Sequence, residues 1–82
     1  MAEITYYVAL PFLKADGDLV PGEPAECQSA TAAMRRAEAL ARLENHAGAV
    51  AFSRTGDPTI GDFQDAVLLK AFGEVPNDLS GL

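Results

Sequence analysis

The sequence predicts an α+β domain: a single three- or four-stranded sheet covered on one face by one long helix, in the order β-β-α-β-β with a short second strand. Three observations carry that expectation. Residues 4–12 alternate with a period of two, residues 29–47 repeat apolar side chains with a helical period, and short apolar runs return after Gly48. At 82 residues the chain has room for one domain, since domains seldom fall below ~50 residues. That domain is expected over 1–75. Residues 76–82 hold Pro, Asn, Asp, Ser and Gly and are expected as a flexible C-terminal tail.

The first strand rests on Ile4, Tyr6, Val8, Leu10 and Phe12, which fall on one face of an extended chain and define its buried side. Thr5, Tyr7, Ala9 and Pro11 make the other, a mixed set that suits partial exposure. Pro11 has no N–H to give to a ladder, so the strand is expected at an edge or with that position turned outward. An Asp16-Gly17 pair follows between Leu13 and Leu19-Val20. Asp-Gly is favoured in two-residue hairpins because both central positions of a type I′ turn need positive φ. The second strand is then short, because Pro21, Gly22 and Pro24 interrupt it, and residues 21–28 read as a connecting loop.

Residues 29–47 are expected as the helix, capped by Ser29 or Thr31 at its start and by Gly48 at its end. Ala30, Ala33, Met34, Ala37, Leu40 and Leu43 share one broad face, with Arg35, Glu38, Arg42 and Asn45 opposite. An alanine-dominated stripe lets such a helix lie close to a sheet. Val50 and Phe52 then alternate with small residues as a third strand, and a parallel pairing with the first would require a right-handed crossover. Residues 56–61 must turn. The segment 63–73 reads either way. A helix gathers Phe63, Val67, Leu68, Ala71 and Phe72 between Asp62 and Gly73 as caps, whereas a strand over about 66–73 gives its predecessor a partner and is preferred.

Twelve acidic residues against six basic ones give a net charge of −6. Such a surface repels phosphate backbones and anionic lipid, so neither a nucleic acid nor a membrane is expected as partner. No apolar run approaches the ~20 residues of a membrane span, and the N-terminus shows no secretory signal pattern. Cys27 is the single cysteine, so no intrachain disulfide or multi-thiolate metal site can form, and the cytoplasm is the expected compartment.

No catalytic pair, cofactor site or metal site is expected. His46, the only histidine, falls in the last predicted helical turn, where an imidazolium suits the carbonyl end of the dipole. Cys27 precedes the helix, a setting that lowers a thiol pKa, yet no histidine is near it in sequence. Asp16, Asp18, Glu23 and Glu26 invite a calcium loop, but Val20, Pro21 and Cys27 stand where an EF-hand needs an oxygen, a glycine and an acid. Asp57, Asp62 and Asp65 are too irregular for a metal. Ser53-Arg54-Thr55-Gly56 can cradle an anion, with Asp57 beside it to oppose one. Arg35, Arg36 and Arg42 form a basic stripe that Glu38 interrupts, better explained by ion pairs three and four residues apart.

Tyr6-Tyr7-Val8-Ala9, the Asp16-Gly17 turn and the Pro-rich approach to an alanine-rich helix resemble small uncharacterised bacterial proteins of unknown function, which implies a fold and no activity. Residues 6–41 also resemble, more distantly, HicB-type antitoxins. Those begin with a YYVA-like strand and pass through a glycine-containing turn and a Pro and Cys segment, here Pro24-Ala25-Glu26-Cys27, to an Ala/Glu-rich helix. Pro21 and Pro24 break the strand after the turn, and the likeness stops near the helix end.

The expectation is therefore a small non-enzymatic interaction or accessory module, self-associating as a homodimer. Sheet faces or edge strands would make the contact, with Tyr7, Leu13, Leu68 and Phe72 as candidate interface residues. An acidic antitoxin-like regulator of a basic protein partner is the alternative that the charge and the second resemblance imply. A small thiol- or anion-binding protein using Cys27 or Arg54 is another.

Overall fold

The structure, a computed structural model, describes residues 3–76. Its elements run β1 (Ile4–Ala15), β2 (Asp18–Pro21), β3 (Ala25–Cys27), α1 (Ala30–Ala41), β4 (Gly48–Asp57), β5 (Asp62–Phe63) and β6 (Val67–Gly73). This overturns the predicted fold class. Six strands form one sheet curled into a half-barrel, and the one helix has 12 residues, so the chain is mostly β rather than a three- or four-stranded sheet under one long helix. From Asn77 onward the expected tail lies outside the described residues.

β1 is central, not an edge. β2 and β3 pair with it in turn on one side, and β4 pairs antiparallel along the other. Asp16 (φ 53°) and Gly17 (φ 85°) close the β1–β2 hairpin with both central residues left-handed, the geometry a two-residue type I′ turn demands. Pro11 is accommodated by the gap between β2 and β3. Its carbonyl accepts from Gly22 N–H at 2.8 Å, and within a strand a residue's N and O point to the same side. The missing N–H therefore faces the interruption at Pro21–Pro24. Because β2 and β3 together run back along β1, the helix joins β3 to β4, and β1 and β4 lie antiparallel rather than parallel.

The helix starts as the sequence implies: the Ser29 hydroxyl accepts from Ala32 N–H at 3.1 Å. It stops at Ala41 rather than 47 because the next residues are claimed by the sheet. Ala47 N–H donates to Phe12 O at 2.8 Å, and Ala47 O accepts from Glu74 N–H at 3.0 Å. Residues 42–46 must reverse the chain before that point, and they do so through short i→i+3 bonds such as His46 N–H to Leu43 O at 3.1 Å. Leu43, expected on the buried stripe, is consequently 52% exposed, and Gly48 opens β4 instead of capping the helix.

Two small cores flank the sheet. On the helix side Ala9, Ala49 and Ala51 meet Ala33 and Ala37, all fully buried, with Tyr7, Met34, Leu69 and Phe72 packed around them. On the other side Phe12, Val50 and Phe52 pack with Val8, Leu10, Ala66 and Val75. The helix thus lies over the small-residue face of β1, which the alternation assigned to partial exposure. An alanine stripe approaches closely only where the strands also present alanine; the larger even-numbered side chains close their own cluster opposite.

Candidate functional site

The helix-free face continues past its buried cluster toward the open end of the sheet. Cross-strand partners in an antiparallel ladder share a face, so Tyr6 lies beside Arg54, Val8 beside Phe52 and Ile4 beside Gly56, with Gly56 in turn opposite Phe63. A Cβ at Gly56 would collide with the Phe63 ring and the Asp62 carbonyl, so the glycine is what lets β5 close over β4. The Phe63 ring stands 6.1 Å from Tyr6, centroid to centroid, and Arg54 Cζ lies 5.9 Å from the Phe63 centroid. Arg54 Nε–H also donates to Gln64 O at 3.2 Å. Together Tyr6, Val8, Phe52, Arg54 and Phe63 line an open recess of about 410 Å³.

β5 and β6 form one broken outer strand along β4. Gln64 N–H donates to Thr55 O at 2.8 Å between them, and the β4–β6 register shifts at Ala51/Phe52. The shift places Leu68 opposite Phe52 on the helix-free face, while Phe72 sits opposite Ala49 beneath the helix. β6 is the least protected long strand, with Val67 59% and Leu68 47% exposed.

The four residues singled out from the sequence therefore do not form one surface. Tyr7 and Phe72 help hold the helix. Leu13 is half-buried opposite Val20 in the β1–β2 hairpin. Leu68 alone of the four lies on the helix-free face. Tyr6 and Phe63, which line the recess, are not among those four. The alternation signals Tyr6, but it places that whole face in the core. Phe63 depends on a β4 that runs through Arg54 to Asp57, a stretch whose polarity hides the strand.

Cys27 lies in β3 opposite Tyr7, not in a loop, and its thiol rests 3.6 Å from Ala25 O. His46 lies beyond the helix, half-buried, its Nδ1 enclosed without a hydrogen-bond partner. It lines a polar recess of about 430 Å³ with Lys14, Glu44 and Glu74, where Lys14 Nζ and Glu74 Oε2 pair at 3.1 Å. Asp57 and Asp62 oppose one another across β4 and β5, and Asp57 Oδ1 accepts from Thr59 N–H at 2.9 Å to shape the turn. Among the described residues, no three His, Cys, Asp or Glu side chains are placed to hold a metal ion. On the helix, Arg42 reaches Glu38 at 3.6 Å, an exposed pair four residues apart. No protein family, curated protein or solved structure was found to match the chain.

Proposed function

We propose that this chain is a non-enzymatic interaction module that self-associates as a homodimer in the cytoplasm. The observation that carries the reading is the apolar surface left on the helix-free face of the outer strand and the open end of the sheet: Leu68, Ile4 and Phe63 are all more than a third exposed. Clustered apolar exposure of this kind marks an interaction surface more often than a free one. The acidic balance argues against a nucleic-acid or anionic-membrane partner, and no helix among the described residues is long and apolar enough to cross a membrane.

Leu68→Glu tests the reading. It places a charge at a residue already 47% exposed, so the monomer should keep its circular dichroism and urea midpoint while light scattering shows loss of the dimer. A fully dimeric Leu68→Glu protein would remove this surface from the account. Tyr7→Glu is not an equivalent probe, because Tyr7 packs against the alanine core.

Cys27→Ser should leave folding and self-association nearly unchanged, since the thiol's one hydrogen bond is long, 3.6 Å to Ala25 O, and serine is close to cysteine in size where the residue packs beside the alanine core. Loss of any measurable activity in that variant, with the fold intact, would overturn the non-enzymatic reading. A second reading, a regulator of a basic protein partner, is favoured by the net charge of −6. Its mark is an affinity that falls as salt rises, because screening weakens attraction between exposed opposite charges.

A further inference from the structure

The recess on the helix-free face has the lining of a small-molecule site. Buried Phe52 and half-buried Tyr6 and Val8 lie beside Phe63, and among the described residues that line it Arg54 alone is charged. Its volume of about 410 Å³ lies in the range usual for such sites, which are mostly apolar and aromatic with a few polar groups that fix orientation. The Tyr6 and Phe63 rings stand 6.1 Å apart, tilted by 40°, the spacing of a contacting pair. A third ring therefore cannot enter between them and must lie across both. Arg54 is held at the same place by the Phe63 ring and by Gln64 O. A guanidinium carries five N–H donors, so it can serve Gln64 and a ligand oxygen together.

We propose that this recess binds a small carboxylate with a flat aromatic body, the arene lying on Tyr6, Phe63 and Phe52 and the carboxylate meeting Arg54. The site goes beyond self-association and does not depend on it. Ring faces and edges reward an arene over an alkyl chain of equal area, and a carboxylate's two oxygens match the guanidinium fork. Asp57, three residues after Arg54, does not oppose such a ligand from the same side. Asp57 and Asp62 form the rung after Gly56 and Phe63, and successive rungs turn their side chains to opposite faces.

Isothermal titration of the whole, unmodified chain with naphthoate and with the neutral naphthamide tests the site. The acid should bind, and the amide, nearly equal in shape, should bind about tenfold more weakly because it lacks the charge that meets Arg54. Arg54→Gln should bring the acid down to the level of the amide and leave the amide unchanged. Phe63→Leu keeps apolar bulk without the ring and should weaken both ligands severalfold. Equal affinity for acid and amide, or no binding of either at millimolar concentration, overturns the site without recourse to any variant. Sedimentation of the same samples keeps the two readings apart. A dimer that takes up no naphthoate removes the site and leaves self-association standing, whereas a monomer that binds naphthoate through Arg54 does the reverse.

Discussion

Phe12→Ala is expected to destabilise the domain by about 3–5 kcal/mol, the range for truncating a buried aromatic. Phe12 is 4% exposed and is one of three buried residues, with Val50 and Phe52, that close the cluster on the helix-free side. Such a core has few neighbours able to move into the space. A chain of 82 residues carries roughly 4–12 kcal/mol of total stability by the usual per-residue range, so the loss would be a large share of the whole. Urea unfolding followed by circular dichroism measures it. Leu10→Ala, half-buried on the same face, should cost clearly less. Equal losses would mean that Leu10 is covered as fully as Phe12, which the structure does not show.

Ala37→Leu is the second large effect, and its mechanism is the reverse. Ala37 and Ala33 meet Ala9, Ala49 and Ala51 with no exposed surface at any of the five. Adding three carbons there lifts the helix from the strands or forces strained rotamers, at about 2–3 kcal/mol for overpacking of this size. Leucine and alanine differ little in helix propensity, so the loss reports packing. Ala39→Leu supplies the control, since Ala39 lies on the exposed side of the same helix and should be near neutral. Thermal unfolding of the pair separates the two explanations. A near-neutral Ala37→Leu would place the helix farther from the sheet than the alanine contacts require.

Local signals in the chain were the most readable. The Asp16-Gly17 hairpin and a cap at Ser29 or Thr31 follow from turn chemistry and side-chain capping, which act over a few residues; the outer strand follows only from its predecessor's need of a partner, because the apolar spacing of 63–73 fits helix and strand alike. The failures share a cause in tertiary competition. Helical periodicity runs to 47, yet Ala47 makes hydrogen bonds to Phe12 and Glu74, and those ladder bonds end the helix early. Alternation identified two faces of β1 but not which one the helix would choose, because that depends on the alanines of β4 as much as on β1. The candidate surface suffered in the same way. A register shift at Ala51/Phe52 sends Leu68 and Phe72 to opposite faces, and no pattern in the sequence announces it.

Self-association is the central claim, and sedimentation equilibrium of the unmodified chain across the micromolar range tests it most directly. The expected result is a concentration-dependent mass that rises to twice the 8.6 kDa of one chain. A mass that stays at 8.6 kDa up to high micromolar concentration would contradict it.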